Sequence, residues 1–210
     1  MTDEDLHDAH REHHEAHQSD EHHHHHEHRP IEYADAIAQF RAQKDEYYRT
    51  GGHSPIPVAE RETFTGLPYY IVDPALRFEG RTLEPYTGDE PSDFEIPTSD
   101  GKLRPAHRAG KLTFDLEGEP RALTAYTFDA GDDESLFVPF IDVTSGTETY
   151  GAGRYLDLDP EEDGTYTLDF NLAYHPSCVY DPRFSCPLTP RENRLPLRIE
   201  AGERLPPLQT

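Results

Sequence analysis

Lys111-Leu-Thr-Phe-Asp-Leu116, then Glu117-Gly-Glu-Pro120, then Arg121-Ala-Leu-Thr-Ala-Tyr-Thr-Phe128 is the stretch that decides the fold. Apolar and polar residues alternate from Lys111 to Leu116, so Leu112, Phe114 and Leu116 share one face of a strand. The Glu-Gly-Glu-Pro segment turns the chain, and Arg121 to Phe128 returns. The same grammar recurs on both sides. Phe64 to Val72 reads as a strand with an irregular start, and Leu76 to Leu83 alternates weakly. Phe94 to Leu103 reads as a hairpin turning at Asp100-Gly101. Leu136-Phe-Val-Pro-Phe-Ile141 is an apolar run, expected as a central strand with Pro139 at a bulge or edge. Arg154 to Leu158 and Thr165 to Phe170 are expected to pair across Glu162-Asp-Gly164, and Leu195 to Glu200 forms a last strand. Short strands with turn signals between them predict a mainly β, single antiparallel β-barrel or β-sandwich-like domain. No βαβ alternation appears, which argues against a doubly wound fold.

One helix precedes the strands. Pro30 sets its start, and Tyr33, Ile37, Phe40 and Tyr47 recur at helical spacing, predicting an amphipathic helix laid on the core. Thr50-Gly51-Gly52 ends it, with glycine expected in the left-handed cap conformation. The chain thus divides into a tail over 1–29 and a single β-rich domain over 30–210.

The tail is a low-complexity run of His, Glu and Asp with no large apolar residue after Leu6, so it cannot bury enough surface to offset its ordering entropy and is expected to be disordered. Imidazoles beside carboxylates suit Zn²⁺, Ni²⁺ or Cu²⁺. His22, His23, His24, His25, His26 and His28 are the candidate metal ligands, and zinc or nickel held there is the only cofactor the sequence offers. An engineered tag and a solubilising tail are the competing readings.

The full chain of 210 residues carries 42 acidic against 19 basic residues, a formal net charge of −23, and only three of the cations are lysines. Such a surface repels nucleic acid and anionic membranes, which are bound by Lys and Arg neutralising phosphates. Acids spread along the whole chain read as adaptation to a high-salt cytoplasm, where screening relieves self-repulsion. No apolar run reaches transmembrane length and no secretory signal is visible, so a cytoplasmic location is expected. The two cysteines, Cys178 and Cys186, are then expected as thiols, although their short separation permits a bridge. Nothing in the sequence signals an oligomeric state.

Two loops carry the chemistry. Asp142-Val-Thr-Ser-Gly-Thr-Glu-Thr-Tyr-Gly-Ala-Gly-Arg154 is rich in glycine and hydroxyls. Its amides would cup an anion and Arg154 would clamp it, with Asp142, Thr149, Tyr150, Gly151 and Gly153 around them. It is neither a P-loop nor a dinucleotide fingerprint. The alternative is an irregular turn with Arg154 in a buried salt bridge to Asp142, Asp169 or Glu192. The second loop, Asp169 to Leu195, is proline-punctuated and holds both cysteines; Asp169, Asn171, Tyr174, Glu192 and Asn193 would orient a ligand. The expectation is a small polar or anionic ligand held between the two loops.

A hydrolase-like enzyme would use the same cleft with His175, Cys178 or a carboxylate as base or nucleophile. His175, Cys178 and Cys186, with Glu192 or His53, would supply a zinc set, although no Cys-x-x-Cys pair is present. A serine hydrolase and a glycosidase have no supporting motif. A third reading is a metal-handling protein with the tail as collector.

Asp142-x-Thr-Ser-Gly-x-Glu-Thr-Tyr-Gly-x-Gly-Arg-Tyr155, Asp169-Phe-Asn-x-Ala-Tyr-x-Pro-x-Cys-x-Tyr180, Ser185-Cys-Pro-Leu-x-Pro-x-Glu-Asn-Arg-Leu195 and Ala201-Gly-Glu203 together resemble a prokaryotic domain-of-unknown-function family numbered 1684. Lys44-Asp45, Ser54-Pro55 and Phe64-x-Gly-Leu-x-Tyr69 extend the resemblance over roughly 31 to 205. It implies one β-rich domain with an N-terminal helix and no settled activity. The family pattern has Asn where this chain has His175, which weakens the zinc reading.

Overall fold

The computed structural model describes residues 32–128 and 135–206. The tail over 1–29, with its candidate metal ligands and its expected disorder, lies outside the described residues. Among the described residues the helix α1 (Tyr33–Thr50) is followed by eight strands: β1 (Arg77–Arg81), β2 (Glu84–Pro85), β3 (Asp93–Pro97), β4 (Leu103–Leu116), β5 (Glu119–Thr127), β6 (Leu136–Phe140), β7 (Arg154–Leu158) and β8 (Tyr166–Asp169). All strand pairs are antiparallel. One sheet runs β2-β4-β5-β6-β7, with β3 also on β4; the other is the β1–β8 pair. Among the described residues the larger sheet is open, with no pairing that closes it into a barrel.

The deciding stretch folds as its alternation requires. Leu112 pairs with Leu123 and Leu116 with Glu119, around a two-residue turn in which Glu117 (φ 56°) and Gly118 (φ 76°) are both left-handed. That turn has the twist two paired strands need. Leu112, Phe114 and Leu123 are buried with Val138, Phe140, Leu156, Leu168 and Phe170 in the main core. Tyr126, Phe137 and Tyr155 form a smaller cluster.

Three expectations are corrected. First, α1 does not dock on an apolar stripe: Phe40 and Tyr47 are exposed. The inward positions are Tyr33, Ile37, Arg41, Lys44 and Tyr48, which still follow helical spacing. Arg41 donates to the Tyr70 and Asn171 carbonyls at 2.9 and 3.3 Å, and Asp45 accepts from the Leu67 amide at 3.0 Å. Gly51 ends the helix in extended backbone (φ −66°), not left-handed; a Cβ there would lie 2.6 Å from the Tyr47 ring. Second, the chain reverses at Glu162-Asp-Gly164, but β7 pairs with β6 and β8 with β1, so the turn joins two sheets. Third, neither Phe64–Val72 nor Leu195–Glu200 forms a strand; the former makes one bridge, Tyr69 to Glu203. In the latter Leu195, Leu197, Ile199 and Ala201 alternate inward into the core, and much of their backbone pairing goes to loop 141–154.

Candidate functional site

The Gly-rich loop is closed on itself. Asp142 is buried and accepts from the Ile199 amide at 2.7 Å, the Thr144 hydroxyl at 2.9 Å and the Ser145 hydroxyl at 3.1 Å. Thr149 is buried with its hydroxyl 3.0 Å from that of Thr144. Gly151 packs beside Gly146, and a Cβ on Gly153 (φ 103°) would meet the Phe140 carbonyl at 2.5 Å. Arg154 has no exposed surface. It pairs with Asp142 at 3.4 Å and donates to the carbonyls of Ile199 (2.8 Å), Glu203 (3.2 Å) and Ala201. The guanidinium grips the chain's own C-terminal segment, which is why it is not available to clamp a ligand.

The second loop does meet the first, through hydrogen bonds and ring packing. The Tyr150 amide donates to His175 Nε2 at 3.2 Å, the Thr189 hydroxyl donates to the Ala152 carbonyl at 2.8 Å, and Tyr155 bridges Tyr174. Asn171 presents both amide atoms to the Asp73 backbone, at 2.7 and 2.8 Å. Asn193 spans β5 and β6. Glu192 accepts from Tyr126 at 2.9 Å and Arg108 at 3.2 Å. Each of these polar groups completes the fold.

His175 sits behind Glu203, a buried carboxylate that accepts from the His175 amide (2.7 Å) and the Tyr180 hydroxyl (2.9 Å) and pairs with Lys44 at 2.6 Å. Burial, then the positive charges of Arg154 and Lys44, lower the His175 imidazole to about 3. An unfolded imidazole titrates near 6.5. Below that value the unfolded chain takes up a proton that the folded one refuses. His175 therefore favours the fold above pH 6.5, and that contribution is lost as pH falls from 6.5 towards 3. A His175→Asn variant loses stability less steeply than the parent across this window, by up to about 1.4 kcal/mol per pH unit in urea unfolding. Equal slopes would mean that the folded imidazole is protonated.

An open cleft of about 610 Å³ lies beside these loops, between α1 and the β7–β8 region. Tyr33, Ala36, Ile37 and Phe40 of the helix form one wall, and Leu156, Leu158 and Leu172 supply the apolar floor. Asp157, Asp159, Glu161 and Asp169 bring carboxylates, against one arginine, Arg77. That arginine is paired with Glu79 at 2.6 Å, lies 3.7 Å from Asp169 and covers the Tyr33 ring at 4.9 Å. The Tyr33 hydroxyl donates to both Asp169 oxygens, and that of Tyr174 donates to Asp157 at 2.5 Å. Burial raises the Asp157 carboxyl from its ordinary value, with Asp159 adding to the shift; Tyr174 and Lys44 oppose it.

Of the residues expected to bind a ligand, Asp169 and Tyr174 line this cleft. The remaining lining was missed, although the Leu-Asp-Leu-Asp alternation at 156–159 carries a signal for carboxylates beside an apolar floor. Among the described residues no group of three His, Cys, Asp or Glu side chains is arranged to hold a metal ion, and no helix is long and apolar enough to cross a membrane.

Among the described residues these features define a mainly β domain of two antiparallel sheets, with an α-helix docked through Ile37, Tyr48 and several polar side chains and a lateral cleft beside it. The chain belongs to the DUF1684 family, proteins of unknown function, whose model matches residues 62–204. It is also similar to the solution NMR structure of an uncharacterized protein from Haloarcula marismortui. The two share 39% identity with a TM-score of 0.63, over 83% of this chain and 95% of that one. No curated protein matches the chain. Tyr33 and Lys44 precede the segment the family model matches.

Proposed function

We propose that this chain is a small-molecule-binding domain whose site is the cleft between α1 and the β7–β8 region. The ligand class that fits is an organic cation with an apolar body. The observation that carries this reading is the charge of the lining: four carboxylates surround an apolar floor, and the single arginine is already paired. Apolar walls with a few placed polar groups are the usual make-up of such sites. Arg77 already covers the Tyr33 ring and Lys44 the Tyr174 ring, so the carboxylates and not the aromatic faces would hold the cation. The expected anionic ligand gives way because its clamp, Arg154, is buried. A hydrolase using His175 as base has little support, since that ring is buried, neutral and hydrogen-bonded away from the cleft.

Benzyltrimethylammonium and phenylacetate make a matched probe pair of opposite charge. Calorimetric titration at the lowest KCl that keeps the protein folded should show binding of the cation and none of the anion. Asp157→Asn should weaken the cation about tenfold, or about 1.4 kcal/mol. Equal binding of both probes, or no change in Asp157→Asn, removes the reading.

A further inference from the structure

Cys178 and Cys186 stand apart from the cleft, yet the fold brings them together. The Cys178 amide donates to the Cys186 sulfur at 3.3 Å. Both ends are fixed. Cys178 sits in the 3-10 turn Ser177–Val179. Cys186 exchanges two hydrogen bonds with Ser99 of the β3–β4 turn, its amide donating to the hydroxyl at 3.0 Å and its carbonyl accepting from the Ser99 amide at 2.8 Å. The two thiols differ in access: Cys178 is half-buried and Cys186 is buried.

We propose that Cys178 and Cys186 are a redox modification site, a dithiol that a hydroperoxide converts to an intramolecular disulfide. The Cys178 thiolate attacks a peroxide oxygen, the O–O bond breaks, and the departing hydroxide leaves as water after protonation. Cys178 is then a sulfenic acid. The Cys186 sulfur displaces its hydroxyl, again as water, and the S–S bond forms. The two thiols lose two electrons and two protons, and one hydrogen peroxide becomes two waters. Cys178 reacts first because peroxide reaches it, whereas burial pushes the Cys186 thiol up to about 11 and leaves little thiolate there.

The test is hydrogen peroxide treatment of the reduced full-length protein, then denaturation, alkylation and intact mass. The expected product is a monomer lighter by two hydrogens, with no alkylatable thiol, in which non-reducing proteolysis links the peptides of Cys178 and Cys186. Cys186→Ser should instead accumulate a dimedone-reactive sulfenic acid at Cys178. Cys178→Ser should retain its remaining thiol under the same treatment. Retention of both thiols in the parent, cross-linked dimers, or equal oxidation of the two variants would overturn the proposal.

Discussion

Arg154→Ala should cost the domain about 3–5 kcal/mol, enough to leave it largely unfolded in many buffers. The change strands a buried carboxylate: Asp142, whose side chain has no exposed surface, loses its cation. It also leaves the carbonyls of Ile199, Ala201 and Glu203 without the donors that tie residues 199–203 to β7. Arg154→Met, which keeps much of the volume, should lose nearly as much, because the missing element is charge and donors and not bulk. Burial already pulls the guanidinium ionisation down, and Asp142 is the main group holding it up. Asp142→Asn should therefore be milder than Arg154→Ala, since Arg154 keeps its carbonyl partners. Urea unfolding in molar KCl is the measurement, because a net charge of −23 adds self-repulsion at low salt that would blur the comparison. A loss below about 1 kcal/mol would show that the site relaxes around the vacancy.

The same residue shows where sequence reading stopped. A glycine-rich turn ending in arginine suits an anion because it offers amides and a guanidinium at close approach. It suits the chain's own carbonyls for the same reason, and nothing local separates the two. The β4–β5 hairpin was legible because period-two alternation and a Glu-Gly turn are local signals that agree. The reversal at Gly164 was legible as a turn, but a turn says nothing about which sheet receives the next strand. In α1 the extent was readable and the buried face was not. Its inward residues include Tyr33, Arg41 and Lys44, whose partners Asp169, Tyr70, Asn171 and Glu203 lie far along the chain. Leu195 to Glu200 alternated as a strand does, and its apolar side chains are buried accordingly, yet Asp142 and Arg154 side chains take several of the places a neighbouring strand would fill. Of the cleft only Asp169 and Tyr174 were legible, chosen for their polarity, while its helix wall depends on how α1 docks.

Asn193→Leu should be the second most damaging change, at about 2–4 kcal/mol. Between β5 and β6 the ladder holds only the Tyr126–Phe137 pair, because Asn193 is inserted beyond it. Its side-chain oxygen accepts from the Thr124 amide at 2.8 Å, while its nitrogen donates to the Thr124 carbonyl at 2.8 Å and the Pro139 carbonyl at 2.7 Å. The side-chain amide thus stands in for a missing piece of strand, which also lets Pro139 occupy a central strand without a ladder donor. The Asn193 carbonyl accepts from the Ile141 amide at 2.9 Å, so the same residue anchors the chain leaving β6. Leucine has similar volume and leaves the Thr124 amide and two carbonyls buried and unpaired. Asn193→Asp is the sharper variant: it can still accept from Thr124 but faces two carbonyls without a donor. Its stability should recover partly as pH falls and the carboxyl protonates, whereas that of Asn193→Leu should not. Hydrogen exchange would localise the effect, with Thr124 among the amides that lose most protection in both variants. Unchanged protection at Thr124 would mean that the two strands hold together without this bridge.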